Sequence, residues 1–209
     1  MTYSLNEVEA TAKRATRGAG YAWGLSEDAA KATRWVCQQG LDGVGELARL
    51  LERGFGMAAK DHTPTSLGGE WRADDALCPV MAGALLSDSA AVLESGPIVL
   101  HRLVHPVVLL AFVGNAARRV HCTIELECDG VKAMTDGTQV FLTDRLPDEA
   151  QHITVRFSND AVRARTLATR ADPDPDAWAI LNRFAHRTYA PATEESRILG
   201  AGAGLSDND

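Results

Sequence analysis

After Ser4-Leu-Asn-Glu7, apolar residues recur at helical spacing: Leu5, Val8, Ala12 and Ala15. The opening reads as a capping box, in which the Ser4 hydroxyl accepts from an orphan N–H and Glu7 reaches back to the cap. Gly18 is the predicted stop, because the residue past a last turn usually needs positive φ. Ser26 is predicted to cap a second helix, with Glu27 and Asp28 favourable in its first turn. That helix carries Ala30, Thr33 and Cys37 on one side and ends at Gly40. A third is predicted from Asp42 to Arg53, with Val44, Leu47, Leu50 and Leu51 inward and Gly54 as the stop. Residues 1–54 thus form a three-helix lead-in.

The pattern then changes. Residues 55–75 are rich in Gly, Thr, Asp and Pro and read as a long ordered loop or crossover, a length that is often functional. Residues 76–95 fit a buried strand or a helix equally well. From Ile98 the pattern is that of strands: IVLHRLV and VVLLAFV, separated by His105-Pro106. In RVHCTIELEC, Val120, Cys122, Ile124, Leu126 and Cys128 alternate with His121, Thr123, Glu125 and Glu127, which predicts a strand with one wet face. Asp129-Gly130 and Asp136-Gly137 are type I′ hairpin signals that divide a meander with VKAMT and TQVFLT. HITVRFS and AVRARTLAT are predicted to pair across Asn159-Asp160. A last helix runs from Asp176 to about Tyr189, with Trp178, Leu181 and Ala185 inward and Pro191 beyond it.

Helices, then antiparallel strands, then a helix define an α+β fold rather than alternating βαβ units. The expected layout is one domain over 1–209: a helical lead-in (1–54), a mostly antiparallel meander sheet (76–170), and a C-terminal helix with a glycine-rich tail (176–209).

Composition narrows the function. The formal net charge of −7 argues against a nucleic-acid surface, where phosphates demand clustered Lys and Arg. No apolar run approaches the roughly 20 residues that span a bilayer. The first residues lack a basic stretch followed by an apolar one, so no signal peptide is read and the expected compartment is cytoplasmic. Cys37, Cys78, Cys122 and Cys128 show neither CxxC nor Cys/His zinc spacing, so no metal is expected and free thiols are.

Candidate chemistry is scattered. Gly18 to Asp28 (GAGYAWGLSED) and Gly200 to Asp209 (GAGAGLSDND) share GAG and an acid-tipped GLS. The first matches no phosphate-binding fingerprint, and a helix-to-helix connection explains it. In the second, Asp207 and Asp209 with flexible glycines can hold a cation or a cationic group, and a frayed tail has the same composition. Cys78-Pro79 is either a nucleophile awaiting a base or a small buried thiol. His101 and His105 lie roughly 13 Å apart at strand rise, too far for one metal; His105, held extended before Pro106, is a candidate base or a structural histidine. His121, Glu125 and Glu127 on the wet face can run acid/base chemistry or simply be solvated. Arg17, Trp23, Arg34 and Trp35 can bind a flat anion or serve as packing residues.

RGAGYAWGLSEDAAKATRWV, LCPVMAGALLSD and GAGAGLSDND together resemble an uncharacterised proteobacterial family of unknown function, with a RGAGYxWGLAEE-like opening and a GLSDND-like ending. The resemblance implies that the glycine loops and the Cys-Pro segment matter. It carries no catalytic role onto any residue and names no cofactor.

Two functions remain open. One is an enzyme, or a subunit of one, acting on a small anionic metabolite. Cys78 would be nucleophile or acid/base, His105 its base and Arg17 a carboxylate clamp, with Gly18, Gly20, Trp23, Gly200, Gly202 and Asp207 around the ligand. The other is a non-catalytic homo-oligomer or partner-binding module whose C-terminal tail inserts into a neighbouring chain.

Overall fold

The computed structural model describes residues 1–189. A short strand β1 (Tyr3–Ser4) leads into α1 (Leu5–Gly18), whose start is the capping box expected: Glu7 N–H donates to Ser4 Oγ and Ser4 N–H donates to Glu7 Oε2. The second helix, α2 (Trp23–Gln38), begins three residues before Ser26. Ser26 is therefore not the cap: its hydroxyl donates to the Ala22 carbonyl one turn back, at 2.9 Å. The third, α3 (Gly43–Glu52), is capped by Asp42, which accepts from Gly45 N–H. Gly40 and Gly54 end their helices with positive φ.

Residues 55–75 are pinned rather than loose. A 3-10 segment (Phe55–His62) stacks Phe55 on His62, and His62 Nδ1 meets the Ala76 carbonyl at 2.8 Å. Strand β2 (Glu70–Trp71) then buries Trp71 completely. The ambiguous stretch resolves into α4 (Pro79–Asp88) and a 3-10 turn (Ala90–Ser95).

Strand β3 (Ile98–Val104) follows, and there the sequence reading fails. VVLLAFV is not a strand but the core of α5 (Pro106–Val120). His105 adopts the left-handed conformation (φ 47°, ψ 59°) and turns the chain out of the sheet, and Pro106 sits at the first helical turn, where its missing N–H costs nothing. A seven-residue apolar run carries no period, so burial on all sides looks alike in helix and strand. Val108 through Val113 are all buried, because α5 is wedged between α2, α3, α4 and the sheet.

The remaining strands are β4 (Thr123–Cys128), β5 (Val131–Thr135), β6 (Val140–Leu142) and β7 (Glu149–Ser158). They complete a sheet of order β2-β3-β7-β4-β5-β6, antiparallel except for the β2–β3 edge. Only β4-β5-β6 is a meander. Strands β3 and β4 both run antiparallel to β7, which lies between them, so β3-α5-β4 is a split crossover. Asp129-Gly130 makes the predicted two-residue turn, with φ values of 46° and 93°. Asp136-Gly137 instead opens a four-residue loop between paired Thr135 and Val140, in which Asp136 Oδ1 accepts from the Thr138 and Gln139 amides. Val120, His121 and Cys122 precede β4; His121 is the left-handed cap of α5.

AVRARTLAT does not pair with β7. It runs as irregular chain to β8 (Arg170–Ala171), which pairs with β1. Its polar groups are met by the α2 end: Arg165 donates to the Gln39 carbonyl and Ala168 N–H to that of Gln38. The last helix, α6 (Pro175–His186), is capped by Asp174 and buries Leu181, Phe184 and Ala185 against α1 and α3.

The result is α+β, with the helices on one side of the sheet and the core between them. No helix among the described residues is long and apolar enough to cross a membrane.

Candidate functional site

Helix α3 presents three charged side chains, Asp42, Glu46 and Arg49, to a cleft of about 500 Å³. Leu41, Val107, Leu142 and Leu146 make its apolar walls, and Asp144 and Arg145 complete it from the segment after β6. Such a lining, apolar with a few convergent polar groups, is the usual make-up of a small-molecule pocket.

The distinctive feature is Glu46. It is buried at the cleft wall, and one carboxylate oxygen meets His105 Nδ1 at 2.9 Å while the other accepts from Arg49 at 2.6 Å. Burial pushes the Glu46 pKa up, but the His105 hydrogen bond and the Arg49 charge outweigh it and hold the carboxyl below its ordinary range. An ionised carboxylate only accepts, so the His105 ring places a proton on Nδ1 and turns its other nitrogen, Nε2, away from Glu46. That nitrogen has no partner among the described residues.

The backbone holds the histidine there. Its left-handed φ is costly for a residue with a Cβ. It is over-determined by His105 N–H donating to the Asp148 carbonyl at 2.7 Å and by the start of α5 immediately after. Helix α5 has no side-chain cap, and its first turn borders the cleft at Val107. The positive end of that helix dipole therefore lies on one side of the cleft, although the Val108 N–H already donates to the His105 carbonyl at 2.9 Å.

The residues singled out from sequence are not gathered here. Cys78 is completely buried as the residue before α4, and its Sγ lies 3.4 Å from the Tyr21 hydroxyl rather than against His105. Burial pushes that thiol up. Arg17 donates to the Tyr21 carbonyl, Gly18 packs against Phe184 of α6, and Gly20 turns the chain at φ 97°. Trp23 is exposed with Lys13 over its ring. The Cys78 thiol has no exposure, and Gly18 is covered by α6. Gly200, Gly202 and Asp207 lie outside the described residues.

On the outer sheet face His101 stands opposite His152, with ring centroids 5.3 Å apart. Glu125 is buried beneath Arg156, which reaches it with two nitrogens at 3.0 and 2.6 Å. Arg34 pairs with Glu9, and Trp35 Nε1 donates to the Gly137 carbonyl. Among the described residues no three His, Cys, Asp or Glu side chains are arranged to hold a metal ion.

Glu46 is the residue sequence reasoning missed. In the sequence it is an unremarkable acid in the first turn of a helix. The signal is slight: it stands one turn before the inward Leu50, at the margin of the apolar stripe.

The fold and cleft together describe an α+β domain with a buried carboxylate–imidazole pair beside a small-molecule-sized cleft. Residues 3–76, which include Glu46 but not His105, match the model of a family described as a protein of unknown function (DUF3726). No curated protein and no solved structure matches the chain.

Proposed function

We propose that the chain is an enzyme, or a subunit of one, that moves a proton on a small anionic metabolite held in the cleft beside Glu46. The observation that carries this reading is the buried Glu46 carboxylate, pinned between His105 and Arg49 at the wall of a cleft. Glu46 lines the cleft and His105 does not, so the carboxylate is the group that meets the metabolite's proton, and His105 and Arg49 behind it hold it ionised and in place. The anionic part of the metabolite is assigned to the Arg145 guanidinium and the uncapped start of α5. Leu41, Leu142 and Leu146 hold its apolar part. Cys78 has no place in this scheme, because its thiol has neither exposure nor a histidine partner.

The test is a melting-temperature panel of small carboxylates and phosphate esters on the wild-type chain and on Arg145→Ala. A ligand that binds only the folded state raises the midpoint. The expected result is a rise for at least one anion, abolished by Arg145→Ala. No rise with any compound, or the same rise in the variant, overturns the reading.

A further inference from the structure

The surface beyond α1 collects basic and aromatic side chains that the cleft does not use. Arg14 and Arg17 lie one turn apart on α1, and Arg187, just past α6, has its Cβ against Gly18. None of the three has a carboxylate partner among the described residues, in a chain whose acids outnumber its bases by 28 to 21. Two large apolar side chains stand exposed beside them: Trp23 is 61% accessible, and Met57, whose sulfur packs over Gly20, is 81% accessible. Tyr189 completes the surface, its hydroxyl accepting from Arg14 at 3.0 Å. Guanidinium groups held by neutral partners (Arg14 by Tyr189, Arg17 by the Tyr21 carbonyl, Arg187 over the Phe184 ring at 4.5 Å) and left without a carboxylate, with exposed aromatic and thioether surface, fit an acidic segment that carries apolar anchors.

Such a segment begins at this spot. Past Tyr189 the chain continues through Glu194, Glu195, Asp207 and Asp209 against the single base Arg197, with Ile198, Leu199 and Leu205 as apolar residues. We propose that the Arg14–Arg17–Arg187 surface, with Trp23 and Met57, is the docking site of the chain's own residues 190–209, bound in cis. Because Tyr189 is already seated on Arg14, almost no chain is used to reach the site and the effective concentration is high. Charge then holds the segment and the apolar contacts fix its register.

Trypsin cleavage after Arg197 tests this in the full chain. Docking should slow that cut by about tenfold or more relative to a synthetic peptide of residues 190–209, since cleavage tracks the undocked population. The double variant Arg17→Glu/Arg187→Glu should return the rate to that of the peptide, with Trp23 emission shifted to the red. Both residues are exposed, and the Gln pair at the same positions should give an intermediate rate without reversing charge. Equal rates in wild type and peptide overturn the proposal, as does protection that survives both variants. Light scattering separates the remaining case: a dimer whose dilution removes the protection would place the segment on a second copy and also overturn binding in cis.

Discussion

His105 Nδ1 and Glu46 Oε2 are 2.9 Å apart, and that contact joins the turn between β3 and α5 to the first turn of α3. The two residues are 59 positions apart in sequence. Removing one partner of a buried, charge-assisted bond strands the other. Glu46→Gln is expected to lower stability by about 1–3 kcal/mol at pH 7, read as a urea midpoint. In an NMR spectrum it should also abolish the downfield His105 Nδ1–H resonance; an unchanged resonance would show that Glu46 is not its acceptor.

The same pair sets a pH dependence. Glu46 has a folded-state pKa below its unfolded value of 4.5. Its contribution is therefore complete above pH 4.5 and is lost as pH falls from there through the folded value. The stability gap between wild type and Glu46→Gln should stay constant at neutral pH and narrow in acid. A gap of the same size at pH 3 and pH 7 would contradict the assignment of an ionised, partnered Glu46.

Gly18 sits where α1 crosses α6. A Cβ there would overlap the Phe184 carbonyl oxygen and lie 3.4 Å from Arg187 Cβ. Backbone cannot step aside as a side chain can. Gly18→Ala should therefore destabilise by about 1–3 kcal/mol despite alanine's better helix propensity, measured by thermal melting. A neutral or stabilising result would mean that the two helices can separate freely.

The four thiols should differ sharply. Cys122 is exposed, whereas Cys37, Cys78 and Cys128 are buried. Burial pushes Cys37 up to about 11, Cys128 to about 12, and Cys78 upward as well. Thiolate is the reactive form. One equivalent of a thiol reagent should react fast with the native chain, and Cys122→Ser should remove that phase. A fast Cys78 phase would restore it as a candidate nucleophile.

Asp129 does two jobs at the β4–β5 turn. It adopts φ 46°, and its carboxylate accepts from the Gln151 and His152 amides at 2.8 and 2.9 Å. Asp129→Ala loses both bonds and keeps the strained φ, for an expected cost of about 1–2 kcal/mol in urea unfolding. Asp129→Gly relieves the backbone and should cost less. Equal losses would make the carboxylate contacts the whole effect.

The amino-acid sequence alone determined the features whose physics is local. The Ser4–Glu7 capping box, the Gly40 and Gly54 stops, the α3 stripe, the Asp129-Gly130 turn and the amphipathic α6 each depend on residues a few positions apart, whereas Gly18 stays inside α1 and Gly20 makes the left-handed turn in its place. The α+β class followed from their order. The three-dimensional packing decided the rest. VVLLAFV carries no period, so only the layers closing around it make it helix α5 rather than a strand. AVRARTLAT has strand-like residues, but the end of α2 takes its hydrogen bonds. His105 was visible as a candidate, yet its partner was not: Glu46 became a buried, low-pKa carboxylate only when α3 packed against the β3–α5 turn. Desolvation and charge pairing are properties of neighbours in space, and spacing along the chain does not encode them.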